Sequence, residues 1–224
     1  MIEQLTWDSD FFGFNVGKVT ALKGERINFH DLLLKSKSDN YRLIYLFSED
    51  AISEDMVPVD VKIVYSMPIE NDGTHYEVLP EVHEATNSLY SLAYRSGDHS
   101  RFRLDKNFEK GKFEELYNIW VENSLLGKFA DKVFKYEVNG EIVAFVTVAI
   151  KDHVAIIGLI AVSENYGRRG IGSKLINAVK SYALERGCKT LNVATQQDNI
   201  EACMFYEKNG FSLYSKTYIY HLWL

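Results

Sequence analysis

The stretch that decides the fold is residues 155–187, AIIGLIAVSENYGRRGIGSKLINAVKSYALERG. An apolar run from Ala155 to Val162 stops at a polar turn holding Arg168, Arg169, Gly170 and Gly172. Apolar residues then recur at helical spacing until Gly187, a C-terminal stop signal. Helix N-termini carry backbone N–H groups without intrahelical partners and a partial positive charge, so they attract phosphate. Gly170 and Gly172 keep Cβ bulk away from those amides, while Arg168 and Arg169 add positive charge and forked donors. A pyrophosphate suits this chemistry better than a carboxylate; a tight turn with two solvated arginines is the plainer alternative. Two familiar phosphate loops are excluded by spacing. A P-loop needs Gly-Lys-Ser/Thr where Gly172 is followed by Ser173-Lys174, and a dinucleotide fingerprint needs glycine where Leu175 stands.

Upstream, EVHEATNSLYSLAYRSG and KGKFEELYNIWVENSLLG show apolar residues at helical spacing and end in glycine. VFKYEVNGEIVAFVTVAIKDHVAIIGLIAV predicts three strands joined by tight turns, with Asn139-Gly140 as a hairpin signal because both residues tolerate positive φ. Downstream, KTLNVAT predicts a short buried strand, NIEACMFYEKNG a helix, and FSLYSKTYIYHLWL a final strand pair or one long bent strand. Asn199 and Tyr206 are spaced by nearly two helical turns, so both project from one helix face and could meet an extended ligand at two points.

The region before residue 80 has its own pattern. GFNVGKVTAL, YRLIYLF and DVKIVYSM look like strands around a helix at INFHDLLLKSKS, giving a small α/β unit. Pro68, Asn71-Asp72-Gly73 and Pro80 punctuate its end. The expected division is a small N-terminal α/β domain over 1–80 and a mixed α+β domain over 83–224, an α/β fold class throughout.

A hydrophobic content of 46% is ample for a packed core, and a net charge of -6 argues against nonspecific nucleic-acid binding. Cys188 and Cys203 supply neither a metal spacing nor a disulfide framework, so no metal is expected and a reduced compartment is. No apolar run reaches membrane-spanning length and the start, MIEQLTWDSDFFGF, lacks the design of a signal peptide. The expectation is a soluble cytoplasmic protein without a membrane or nucleic-acid partner.

The two constellations together resemble the GNAT acetyltransferases. That family carries Q/R-x-x-G-x-G/A between strand and helix, then N-x-x-A-x-x-F/L-Y-x-x-x-G-F; here they stand as GRRGIG and NIEACMFYEKNGF. The element order α-α-β-β-β-α-β-α-β over roughly 83–224 agrees. The resemblance implies the GNAT fold and acetyl-CoA as co-substrate. It implies a pyrophosphate cradled by Arg168, Arg169, Gly170, Ile171, Gly172 and Ser173. It also implies a pantetheine arm paired along Leu159, Ile160, Ala161 and Val162 where two parallel strands splay. Asn199 then touches the arm, and Tyr206 acts as general acid toward the departing thiolate. One departure is Gly167, where the motif has Gln or Arg; Arg168 or Arg169 is expected to replace that contact.

IEQLTWDSDFFGFNVGKV, HSRFRLDKNF and VATQQDNIEACMFYEKNGF resemble, further, the dTDP-4-amino-4,6-dideoxygalactose N-acetyltransferases. That likeness implies a sugar nucleotide as the amine acceptor, a role in polysaccharide synthesis, and Arg101 and Arg103 as contacts to its diphosphate. Arginines closing a loop against Asp98 or Asp105 are the plainer alternative. A different amine acceptor, or a non-catalytic acyl-CoA-binding protein, are the competing functions. No carboxylate lies on the HVAIIGLIAV strand, His153 stands near its start, and a water chain is the expected proton exit. The tail TYIYHLWL is expected to finish the sheet or to pair two subunits as a homodimer.

Overall fold

The computed structural model describes residues 1–70, 73 and 78–224; the Asn71-Asp72 turn signal lies outside them. Two compact units divide the chain. Met1–Ile63 clusters with Gln196–Asp198 and Ser215–Leu224, and Val64–Thr195 clusters with Asn199–Tyr214.

In the first unit, β1 (Glu3–Gln4), β2 (Val16–Ala21), β3 (Leu43–Ser48) and the later part of β9 (Ser212–Trp223) lie in the order β1-β2-β3-β9. β2 and β3 are parallel, from Val16↔Leu43 to Ala21↔Ser48, so a crossover must join them. α2 (Phe29–Ser38) is that crossover, and its start is fixed by Asn28, whose side chain accepts from the Asp31 amide. β3 is buried nearly along its length, with Leu43, Ile44 and Leu46 fully enclosed, because strands flank it on both sides. The tail forms one strand, antiparallel to β3 from Leu43↔Trp223 to Ser48↔Tyr218. α1 (Thr6–Phe12) was not expected. It is held by Trp7 stacked on Phe11 one turn later and stops at Gly13 in the left-handed region.

The second unit follows the order read from the sequence with one short helix added. α3 (Asn87–Ser96) and a four-residue α4 (Arg101–Leu104) precede α5 (Lys112–Leu125). β5 (Lys132–Val138), β6 (Glu141–Lys151) and β7 (Val154–Val162) form an antiparallel meander. Its first turn is Asn139-Gly140 with φ of 52° and 81°, the mirror-image geometry that suits hairpin twist. α6 (Ile171–Glu185), β8 (Thr190–Gln196) and α7 (Ile200–Lys208) complete it, and the strands order as β8-β7-β6-β5. α6 packs its Leu175, Ile176, Val179 and Ala183 inward, all enclosed. β4 (Asp60–Pro68) runs across the division between the units.

One irregularity shapes the second unit. β6 pairs with β7 at Val148↔Ile157 and again at Val146↔Ile160. Between those pairs β6 has one residue, Thr147, and β7 has two, Gly158 and Leu159, so β7 bulges. The bulge is pinned from the side: the Leu159 amide donates to Thr147 Oγ1 at 2.8 Å in a buried setting. Gly158 stands opposite the same hydroxyl, which a Cβ would meet at 2.9 Å. Thr147→Val keeps the volume and strands a buried amide, so it should lower unfolding free energy by about 1–3 kcal/mol. Thr147→Ser should recover most of that loss. Equal urea midpoints for the valine variant and the parent would show that the hydroxyl does not hold the bulge.

Candidate active site

The bulge sets the geometry of the next strand pair. β7 and β8 are parallel and pair from Val154↔Thr190 to Ile157↔Val193. β7 then continues to Val162 and β8 to Gln196, yet the ladder ends at the residue before the bulge. Bulges bend and over-twist the strand that carries them, which is how β7 leaves its neighbour. Strand alternation fixes what lies along the edge. The Leu159 amide and the Ser163 amide, the latter donating to Val143 O at 2.7 Å, both point toward β6. The Ile160 N–H and C=O and the Val162 N–H therefore face the fork. The Val162 carbonyl already accepts from Arg95 Nε of α3 at 2.9 Å. Leu159 and Ala161 are buried, and Ile160 and Val162 half-buried. An extended chain with amide groups could thus add itself as a strand at Ile160.

Past the edge, a 3₁₀ turn at Glu164–Tyr166 leads into the glycine-arginine segment. Arg168 adopts φ of 60° and Gly170 φ of 77°, so the backbone reverses twice before α6 begins. Gly170 is the N-cap, no side chain caps the helix, and its first turn holds no acidic residue. The amides of Ile171, Gly172 and Ser173 are therefore left to an external acceptor. Gly172 has a further reason for lacking a side chain: a Cβ there would stand 2.9 Å from the Phe205 ring, so it is the place where α7 meets α6. The two arginines separate in role. Arg169 folds back, donating to Asn165 O at 3.0 Å and stacking over Tyr166. Arg168 is exposed, and among the described residues no ion pair, hydrogen bond or ring contact engages it. Of the two, Arg168 is the free cation. Arg95 also reaches this turn, with Nη1 3.8 Å from Glu164.

The Asn199–Tyr206 pair differs from the sequence expectation. Asn199 is the N-cap of α7 rather than a helical residue, and its Oδ1 accepts from the Ala202 amide at 3.1 Å. Only its Nδ2 end remains for a ligand. Tyr206 is 4% exposed, with its ring 5.4–5.9 Å from those of Phe205, Phe211 and Tyr65. Burial disfavours the phenolate and pushes the phenol well above its ordinary range, with the Cys203 sulfur adding slightly. Among the described residues no group hydrogen-bonds the Tyr206 hydroxyl. Tyr65 of β4, which no local signal singled out, donates to Glu207 Oε1 at 2.8 Å and is likewise raised, chiefly by burial. It ties α7 to the sheet beside Tyr206.

Other candidates lie elsewhere or are otherwise engaged. His153 sits in the turn before β7 with φ of 62°, at the paired end of the strand and roughly 20 Å along it from Ile160. It cannot reach the fork. Arg103 pairs with Asp98 at 3.5 Å and lies over Phe113, while Arg101 lies over Phe102. Cys188 is buried and its thiol is raised by that burial. Among the described residues no group of His, Cys, Asp or Glu is arranged to hold a metal, and no helix is long and apolar enough to cross a membrane.

Comparison with known proteins gives this geometry a family. The acetyltransferase (GNAT) family matches residues 86–211, more than half of the chain. A dTDP-fucosamine acetyltransferase of Escherichia coli is 27% identical, over 97% of this chain and 96% of its own. A spore coat polysaccharide biosynthesis protein of Bacillus subtilis is also 27% identical, over 66% of this chain; the match spans about half of that relative's length, 51%. The crystal structure of a GCN5-related N-acetyltransferase from Sphaerobacter thermophilus superposes with a TM-score of 0.56 at 11% identity, over 87% of this chain and 65% of that one. The chain belongs to the GNAT family and is an acetyl-CoA-dependent N-acetyltransferase.

Proposed function

We propose that the enzyme transfers acetyl from acetyl-CoA to the primary amine of a nucleotide-linked amino sugar, by direct attack, with Tyr206 as general acid. The observation that carries the choice of acceptor is the likeness to dTDP-fucosamine acetyltransferase, which spans 97% of the chain and so both compact units. Acetyl-CoA supplies an activated thioester. The amides of residues 168–173, with the Arg168 guanidinium, hold its diphosphate. Leu159 to Val162 take its arm along the open edge, where the Ile160 and Val162 amides and the Ile160 carbonyl point outward. Asn199 offers the arm its Nδ2, since its Oδ1 is spent on the helix cap. A reaction drawing on acetyl-CoA and a sugar nucleotide belongs in the cytoplasm.

The neutral amine attacks the thioester carbonyl, whose oxyanion takes the Ile160 amide while the Val162 amide and the Ile160 carbonyl are left to the arm. As the C–S bond breaks, Tyr206 donates its proton to sulfur. A phenol held above its ordinary range is a weaker acid than a free thiol, so the transfer requires the thiolate to share the same dry surroundings, which raise its proton affinity as well. The attacking nitrogen's proton leaves to water, β7 having no carboxylate to take it. The Arg103–Asp98 pair, half-exposed and so worth little to stability, can yield Arg103 to a substrate diphosphate, with Arg101 beside it.

Three outcomes test this reading. Tyr206→Phe should lower kcat by about 10²-fold or more while leaving acetyl-CoA binding by calorimetry nearly intact; unchanged turnover removes Tyr206 from the chemistry. In an acceptor panel, a dTDP-linked 4-amino sugar should be acetylated at concentrations where polyamines, aminoglycosides and amino acids are not, and the reverse preference refutes the sugar-nucleotide assignment. The third concerns alkaline pH. Unfolded tyrosines ionise near pH 10, whereas Tyr206 and Tyr65 keep their protons in the fold. Above that pH the unfolded chain binds fewer protons, so stability falls as pH rises, and below it their contribution is constant. Urea unfolding across pH, followed with tyrosinate absorbance, should show that decline beginning near pH 10 and a shallower one in Tyr206→Phe.

A further inference from the structure

The two faces of the fork are unequally covered. Phe134, on the sheet face shared by Val146, Val148 and Ile157, meets Tyr182 of α6 at 6.1 Å between ring centroids, so α6 lies on that face. Phe205 packs on Gly172, which puts α7 beside it. On the opposite face Ile156 and Asn192 are lateral partners, followed by Gly158 and Ala194 where the strands part. Ile156 is 36% exposed and both Gly158 and Ala194 are exposed, which is unusual for the middle of a central strand pair. Within this open patch the Oδ1 of Asn192 is enclosed, and among the described residues nothing donates to it. An enclosed amide oxygen without a donor is costly, and such groups persist where a ligand completes them.

We propose that Asn192 is the polar anchor of the acceptor site: its Oδ1 accepts a hydrogen bond from a hydroxyl or neutral amine N–H of the substrate, which enters the fork from the face opposite α6 and α7. The proposal rests on the reading of the fork as the donor's channel. Three features of the site support it. With the diphosphate held at the start of α6 and Tyr206 on α7, the donor and the general acid occupy one side of the sheet. Direct attack needs the amine to come from the other. Gly158 and Ala194 leave room there, and Ile156 offers an apolar surface. A hydroxyl-bearing ring with an apolar C–H face, an amino sugar, fits that combination better than an extended polyamine.

The test compares the parent with Asn192→Leu, near in volume but without acceptor atoms, and Asn192→Asp, which keeps them. With whichever amine of the panel the parent acetylates best, Asn192→Leu should raise the acceptor KM about tenfold, leave calorimetric acetyl-CoA affinity unchanged, and keep or raise Tm. Asn192→Asp should stay within about threefold of the parent. In the CoA-bound parent, the Asn192 side-chain amide resonance should shift on titration with that panel. An acceptor KM unaltered by Asn192→Leu, or a resonance that no amine moves, overturns the proposal. These results are separable from the sugar-nucleotide assignment, which fails instead if the best acceptor is another amine while Asn192 still governs its KM.

Discussion

A single side-chain hydroxyl stands in for a ladder bond at the point where the sheet opens. Thr147 Oγ1 takes the Leu159 amide that a regular antiparallel strand would have given to a carbonyl, which lets β7 carry one extra residue without an orphaned N–H. The extra residue shifts the pleat. Ile157 and Ile160, three apart rather than two, come to face the same side of the sheet, and β7 turns away from β8 after Ile157. Replacing the hydroxyl by an alkyl group would leave the Leu159 amide without an acceptor at the point where β7 turns away from β8. The fork is thus a local defect that the rest of the core, fully enclosed at Phe145, Val146 and Val148, is rigid enough to sustain.

The proposed chemistry is divided along that defect. The end proposed to bind an anion is backbone: a helix without a side-chain cap, preceded by two left-handed residues. Its geometry depends on Gly170, whose φ a side chain would strain, and on Gly172, which lets α7 approach. Because α7 leans on α6 through Phe205, the element holding Tyr206 is referenced to the helix whose start is proposed to hold the diphosphate. Tyr65 completes the reference from the sheet through Glu207. Three aromatic rings and the Tyr65–Glu207 hydrogen bond therefore fix the Tyr206 phenol, which is the precision the proposed proton donor needs.

How much of this was legible in the sequence depends on the range of the interaction. The order of elements from residue 86 onward, the Asn139-Gly140 hairpin and the uncapped start of α6 are local, and each was readable from turn residues and periodicity. The bulge was not, because Thr147 and Leu159 lie on different strands and neither is unusual in its own run. Asn199 looked like a helix-face residue from spacing alone; its capping role follows from its place immediately before Ile200, a signal that was present in the Asn-x-x-Ala run but read for its period only. Tyr65 and Arg95 act across the fold, through Glu207 and Val162, and no neighbour in sequence announces either. α1 was missed for a different reason. It is too short for periodicity, and only the Trp7–Phe11 spacing hinted at a turn of helix.

Arg95 shows how such a distant residue earns its position. Its Nε covers the Val162 carbonyl, the last acceptor on the fork edge, while Nη1 faces Glu164 at the entrance to the glycine-arginine turn. As an exposed pair the second contact adds little to stability. Its electrostatic effect is larger in consequence: uncompensated, the Glu164 carboxylate and the Val162 carbonyl would both point negative charge at the turn whose amides are proposed to receive an anion. With Arg95 between them the local field is set by the α6 N-terminus and Arg168 instead. The same contact ends the edge available for strand pairing at the Val162 amide, so the length over which an extended ligand can pair is set by α3, a helix far from the turn in sequence.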